Sequence, residues 1–288
     1  MRILENESMA LYSSFRIGGI AKRVCFPETR EELVNLIKEL KQNGEEYAVF
    51  GNCSNVLFPD EGYDGTLILT TELVDVFVYG NVVVADCGAT MNRLAIVASR
   101  NSLKGAECLY GIPGTIGGGI AMNAGAYGGT ISDYIIGVSV LTDDGEVKEL
   151  SKEEMEFEYR NTVVLKKGYI VLGGRFMFES GDETEIRELM DKNMNSRKTK
   201  QPLSYPSAGS FFKRPEGYFA GALIEGAGLK GYRVGGAQVS ELHAGFIINV
   251  GDATAKDVKR LSEYVVRHVK KEFGVTLERE VRFFGIDK

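Results

Sequence analysis

Gly111-Ile112-Pro113-Gly114-Thr115-Ile116-Gly117-Gly118-Gly119, running on through Asn123-Ala124-Gly125-Ala126-Tyr127-Gly128-Gly129, is the stretch on which the reading of this chain turns. Glycine at 114, 117, 118 and 119 lets backbone approach a ligand closely and aim successive N–H groups at a diphosphate. A Walker A loop would need GxxxxGK[ST], which is absent here. A Rossmann fingerprint would follow a strand, but no β-like run precedes Gly111 and Pro113 stiffens the entry. On spacing alone the stretch divides evenly between a dinucleotide site and ordinary turn glycines. A second loop lies about sixty residues earlier, where a short strand, Tyr47 to Phe50, runs into Gly51-Asn52-Cys53-Ser54-Asn55. A strand entering such a loop can present backbone N–H groups to an anion.

Outward from these loops the elements follow from period and punctuation. Thr29 with Glu32 predicts a capping box, Leu33, Ile37 and Leu40 one apolar helix face, and Gly44 its stop. Val82 to Ala85 predicts a strand after the Gly80-Asn81 turn, and Asn92 to Ser99 a helix. Ile135 to Leu141 and Val147 to Leu150 flank Asp143-Asp144-Gly145, a hairpin signal. Tyr169 to Phe178 reads as a strand before a helix opening near Asp182, with Ile186, Leu189, Met190 and Met194 on one face. Beyond it, Ala220 to Ala227 is expected as a helix closed by Gly228, Phe246 to Val250 as a strand, and Thr254 to Phe273 as a long helix. Val258, Leu261, Val265 and Val269 stripe that helix, and Gly274 stops it. Residues 275–284 alternate: Val275, Leu277, Val281 and Phe283 face one way, Thr276, Glu278, Glu280 and Arg282 the other. The expected boundaries are a lobe at 1–73, a lobe at 74–182, an α+β unit at 183–273 and a terminal strand at 274–288.

Composition excludes several chemistries. The 288 residues suggest roughly two domains, and 44% hydrophobic with 26% charged is an ordinary globular balance. A net charge of −6 gives no electrostatic footprint for nucleic acid or an anionic membrane. Only His243 and His268 are present, and Cys25, Cys53, Cys87 and Cys108 form no CxxC, so no metal site is expected. No apolar run approaches a membrane span or a signal peptide, which makes cytoplasmic the expected location.

Other candidate residues carry bland readings when taken singly. Ser207-Ala208-Gly209-Ser210-Phe211-Phe212-Lys213-Arg214 is a small-residue loop, flanked by basic Arg197-Lys198-Thr199-Lys200. A phosphorylated substrate could dock there, although cations at a helix C-terminus are the commoner explanation. Tyr159-Arg160-Asn161 follows a capping box, Ser151 with Glu154, and an arginine there is usually surface. Glu280 alone would be a solvated edge carboxylate.

Together, in order and over nearly the whole chain, these segments resemble the UDP-N-acetylenolpyruvoylglucosamine reductases (UDP-N-acetylmuramate dehydrogenases) of peptidoglycan precursor synthesis. The matching stretches are Ser14-Phe15-Arg16-Ile17-Gly18-Gly19, Gly51-x-x-Ser54-Asn55, Gly111-Ile112-Pro113-Gly114-x-Ile116-Gly117-Gly118 with Asn123-Ala124-Gly125-Ala126-Tyr127-Gly128, and Tyr159-Arg160. Further along come Pro206-Ser207-Ala208-Gly209-Ser210-x-Phe212-Lys213, Gly235-Gly236-Ala237 and Leu277-Glu278-x-Glu280-Val281-Arg282. The short segment in the 160s–170s and the SAGSFF form resemble the second, shorter branch. The fold implied is α+β: a two-lobed FAD-binding domain of the vanillyl-alcohol-oxidase type, then an α+β substrate-binding domain. In that fold two separate loops hold the FAD diphosphate, which accounts for the failed Rossmann test.

The resemblance implies an NADPH-dependent reduction through FAD, bound non-covalently because no histidine precedes His243. It assigns the cofactor to Gly51, Asn52, Cys53, Ser54 and Asn55, to Gly111, Ile112, Pro113, Gly114, Thr115, Gly117, Gly118 and Gly119, and to Asn123, Gly125 and Ala126. Cys53 departs from the glycine expected there. Arg160 and Glu280 would polarise the substrate carboxylate, Glu280 as the protonated acid, and Ser210 would give a proton to the neighbouring carbon. Tyr159, Lys213, Arg214 and Gln238 are the expected contacts to the UDP-sugar, while His243 stays outside the catalytic set. No protein partner is expected. The alternatives are a sugar or lactone oxidase of the same flavin fold, and a flavin- or nucleotide-sugar-binding protein without turnover.

Overall fold

Local sequence fixes most element ends. The Thr29 hydroxyl accepts the Glu32 N–H, the helix Arg30–Asn43 follows, and Gly44 ends it in the left-handed conformation at φ +67°. The box is looser than expected, because the Glu32 carboxylate reaches back to the Glu28 N–H at 2.9 Å. Ser151 and Glu154 do make reciprocal bonds, but they close a turn at the end of the strand Val147–Ser151 and not a helix.

The structure, a computed structural model, describes residues 1–286, so the last two residues of the 274–288 segment lie outside it. The chain forms two compact units that do not follow chain order. The first gathers Met1–Glu5, Arg23–Asn52 and Gly65–Ser196; the second gathers Asn6–Lys22, Cys53–Asp64 and Arg197 onward.

The first unit is built on two sheets. One runs in the order Arg2–Ser8, Ile20–Phe26, Tyr63–Leu69, Tyr47–Phe50, its last pair parallel. The other has five antiparallel strands in the order Val147–Ser151, Ile135–Leu141, Ile170–Met177, Val82–Asp86, Val76–Tyr79, and Asp143-Asp144-Gly145 forms its hairpin turn. These are the two lobes of the expected α+β fold. One continuous apolar core joins Leu33, Ile37, Ile68, Val83, Leu94, Ile120, Val138 and Phe176. Asp182 caps the helix Glu183–Lys200 by accepting the N–H groups of Thr184 and Glu185. Its buried stripe differs from the apolar one expected: Ile186, Met190, Asn193 and Arg197 are buried, while Leu189 is 44% exposed. Asn193 can sit inside because its amide donates to the Glu107 carbonyl at 3.1 Å.

The second unit has its own core. Its sheet runs Ser207–Ser210, Phe246–Asn249, Ala237–Val239, Arg233–Val234, antiparallel throughout. The helix Ala255–Phe273 supplies Val258, Leu261, Val265 and Val269 to a cluster that also takes in Phe15, Ile17 and Leu57. Thr254 and Asp257 form a reciprocal capping box at its start, and the Asp60 carboxylate adds a second cap, accepting the N–H groups of Ala255 and Lys256 at 2.7 and 3.1 Å. The terminal segment is less regular than its alternation predicts. Leu277 and Val281 are buried, but only Arg282–Phe283 form a strand, parallel to Val56–Leu57. Upstream the segment makes a single bridge, Arg279 to Phe212, so it changes partner midway and cannot build one ladder.

Candidate active site

The glycine loops of the first unit are joined directly. A Cβ on Gly51 would collide with the Thr115 hydroxyl, and the Asn52 amide donates to the Pro113 carbonyl at 3.0 Å. Gly51 is therefore glycine for close approach, which a methyl group would forbid. Thr115 caps the short helix Ile116–Ala121 and accepts the Gly118 N–H on its hydroxyl. The N–H groups of this run do not all face outward. Those of Ile116 and Gly117 donate to the carbonyls of Ala89 and Cys87, both at 2.7 Å, and that of Gly119 donates to Thr115. Gly117 and Gly119 lie against Cys87 and Met91, where a Cβ would come within 3.0 and 2.9 Å. Gly118 is exposed. The run thus acts largely by letting backbone pack on backbone, leaving fewer donors for an anion than its glycine count suggests. The entry is pinned too, since the Asn92 side chain accepts the Gly111 N–H at 2.6 Å. Of the glycines at 51, 114 and 118 only Gly118 is exposed and uncrowded, so it is the point at which this loop can meet a bulky cofactor.

The strand pair Gly125–Ala126 and Gly129–Thr130 is closed by Tyr127 and Gly128, both left-handed at φ +52° and +86°. The Tyr127 hydroxyl donates to the Asn193 carbonyl at 2.9 Å. Just before it stands Asn123, 9% exposed and left-handed at φ +42°. Its amide donates to the Glu158 carbonyl at 3.1 Å, and its own carbonyl accepts the Arg160 guanidinium at 3.3 Å. Arg160 sits at φ +56° in a tight turn whose ends, Glu158 and Asn161, exchange backbone bonds. Its guanidinium lies 5.1 Å from the centroid of the half-exposed Tyr159 ring. Lys166 bridges Glu156 and Glu158 at 3.1 and 2.8 Å on the outer side.

In the second unit the segment 13–16 borders the Ser207–Ser210 strand. The Ser14 hydroxyl donates to the Ser207 carbonyl at 2.7 Å, and the Ser207 N–H donates to the Ser14 carbonyl. Gly209 at φ +75° breaks the register of this strand, and Ser210 emerges exposed opposite Phe246. The Phe211 carbonyl accepts the Glu280 N–H at 2.9 Å, which sets Glu280 on the segment beside Ser210. Asn55 ties that segment again: its amide donates to the Glu280 carbonyl at 3.2 Å, and its own carbonyl accepts the Arg282 N–H at 3.0 Å. Ser210 and Glu280 thus lie on adjacent stretches of backbone in the second unit.

The remaining expected contacts are partly engaged within the chain. Lys213 pairs with Glu278 at 3.1 Å, Arg214 stacks over the Phe219 ring at 4.0 Å, and the Gln238 amide donates to the Gly231 carbonyl at 3.0 Å. His243 accepts the Gly245 N–H on Nδ1 at 3.1 Å, and burial holds its imidazole below the usual histidine range. Cys53 is buried and left-handed at φ +46°, the conformation that favours the glycine expected there, and burial pushes its thiol up to about 12. Ser54 is half-buried. Two things escaped the sequence reading. Asn123 and Asn55 tether the segments carrying Arg160 and Glu280, and nothing in their spacing marks it, although asparagine tolerates the left-handed backbone adopted at 123. Among the described residues no cluster of metal-ligating side chains occurs, and no helix is long and apolar enough to cross a membrane.

Comparison with known proteins places this geometry in context. Residues 21–151 match an FAD binding domain family, and residues 201–284 match the family described as UDP-N-acetylenolpyruvoylglucosamine reductase, C-terminal domain. A UDP-N-acetylenolpyruvoylglucosamine reductase of Alkaliphilus oremlandii is 48% identical, covering 98% of this chain and 93% of the relative. One from Streptococcus pneumoniae is 46% identical over 98% of this chain and 94% of the relative. The crystal structure of UDP-N-acetylenolpyruvylglucosamine reductase from Thermus caldophilus superposes with a TM-score of 0.82 at 35% identity, covering 98% of each chain.

Proposed function

The chain belongs to the UDP-N-acetylenolpyruvoylglucosamine reductase family, and from that premise we propose how its residues carry out the NADPH-dependent reduction of UDP-N-acetylglucosamine enolpyruvate to UDP-N-acetylmuramate. FAD, if bound, would supply the hydride chemistry that links NADPH to the substrate's carbon–carbon double bond. The residues with the form to hold its diphosphate are the two joined loops, Gly51–Asn52 and Gly111–Gly119, with Asn52, Pro113 and Thr115 fixing their approach.

The double bond is conjugated to a carboxylate, so hydride arriving at the methylene carbon leaves negative charge spread from the α-carbon into the carboxyl group. Arg160, and Glu280 as the protonated acid, meet that charge with preorganised donors, which act more strongly in the transition state than in the ground state. Ser210 delivers its proton to the α-carbon. Exposed at the end of its strand, it can recover that proton from water. Tyr159, Lys213, Arg214 and Gln238 make up the surface for the UDP-sugar, with Lys213 exchanging Glu278 for phosphate. The reading places the enzyme in the cytoplasm, working on a soluble nucleotide-linked substrate without an obligatory protein partner.

The observation that supports this assignment best is the bond from the Glu280 N–H to the Phe211 carbonyl, which brings the backbone of Glu280 against the residue that follows Ser210. No observation favours the oxidase or the binding-protein alternative. Ser210→Ala tests the assignment: anaerobic bleaching of the flavin by NADPH stays near wild type, while reoxidation by the enolpyruvyl substrate slows by about a hundredfold or more. Equal slowing of both steps would remove Ser210 from the proton-transfer role.

A further inference from the structure

We propose that Asn123 is the positioning residue for Arg160 and is not a ligand of the cofactor. This rests on the reading of Arg160 given above. Arginine is an awkward residue for a fixed electrostatic task, because its long side chain loses much rotamer freedom when held in one place. Here it also sits at the tip of a two-residue turn, in a left-handed conformation that disfavours any residue with a Cβ. Something must over-determine that arrangement.

Asn123 does so at both ends of the residue. Its amide N–H holds the Glu158 carbonyl, which is the first peptide of the turn, and its backbone carbonyl holds the Arg160 guanidinium. The remaining amide oxygen accepts the Ser132 N–H at 3.4 Å. These partners settle the orientation of the amide chemically, since the Glu158 carbonyl can only accept and the Ser132 N–H can only donate. Aspartate would set a carboxylate against a carbonyl oxygen, so the position calls for an amide. Asn123 is 9% exposed, and its amide nitrogen and oxygen both have partners within the protein. A second anchor lies on the far leg of the turn, where the Thr162 hydroxyl donates to the Ala121 carbonyl at 2.9 Å. The backbone of residues 121–123 is thus the frame on which the Arg160 turn is mounted.

The test uses the holoenzyme with Asn123→Gly, which removes the side chain yet keeps both the left-handed backbone and the carbonyl. Asn123→Asp serves as a second variant should the first fail to fold. Bound flavin per chain and bleaching by NADPH are expected to stay within about twofold of wild type, while reoxidation by UDP-N-acetylglucosamine enolpyruvate slows about ten- to a hundredfold. In an Arg160→Ala background the same change should slow reoxidation no further than about twofold, because a positioning residue has nothing left to position. Loss of flavin, slower bleaching or additive slowing in that background would each overturn the proposal. Normal reoxidation by Arg160→Ala alone would instead overturn the role given to Arg160, and so separates the two failures.

Discussion

Nine residues other than glycine hold a left-handed backbone among those described, and five of them, Arg16, Cys53, Asn123, Tyr127 and Arg160, fall in the motif segments. Strain of about 1–3 kcal/mol per residue persists only where surrounding structure enforces it, and it concentrates at functional sites. Cys53 allows this to be measured. Cys53→Gly relieves the backbone but loses a buried side chain and loosens the unfolded chain, so its unfolding temperature should lie within a few degrees of wild type. Cys53→Val, β-branched in the same conformation, should fall well below both in a thermal melt. The thiol itself, pushed up to about 12, should resist a thiol reagent at pH 8 until the protein unfolds. No residue type at 53 or 160 announces a left-handed backbone, so the sequence pointed to these positions only through the family resemblance.

At the scale of elements, the sequence was most informative where a single residue closes an end. Gly44 and Gly274 stop their helices in the left-handed conformation as read, and Thr29 caps its helix through the hydroxyl. Partner choice was not legible. The alternation over 275–284 describes burial correctly at Leu277 and Val281 yet hides the switch from Phe212 to Val56–Leu57. The glycine run likewise signalled close approach, but its N–H groups satisfy carbonyls at Cys87 and Ala89 that lie about 30 positions back in the chain. Asp60 is the sharpest case, capping a helix that begins 195 residues later. Asp60→Ala should cost about 1 kcal/mol, partly offset by Thr254 and Asp257, and a denaturant titration reads the loss directly. An unchanged midpoint would mean that the capping box suffices alone.

For the molecule as a whole, burial of several thiols sets a pH dependence. Cys53 and Cys87 are pushed up to about 12 and Cys108 to about 11, from an ordinary value of 9.0. Well below pH 9 these groups are protonated whether the chain is folded or not, so they give no slope there. Above it the unfolded chain releases protons that the native protein retains, and stability declines as pH rises from 9 towards 12. The urea midpoint should therefore be lower at pH 10 than at pH 8, by a margin that shrinks in Cys108→Ala. Two apolar cores, one for each unit, were not legible in the sequence, because it does not show that Phe15, Ile17 and Leu57 join the core built by the last ninety residues or so. That threading has a consequence during synthesis. On the ribosome, residues 6–22 and 53–64 emerge early with their apolar side chains uncovered, and the partners of Ser14 and Asn55 follow 193 and 225 residues later. The second core cannot close until translation is nearly complete, so the nascent chain must keep Phe15, Ile17 and Leu57 from aggregating throughout, and no contiguous fragment will carry that core away intact.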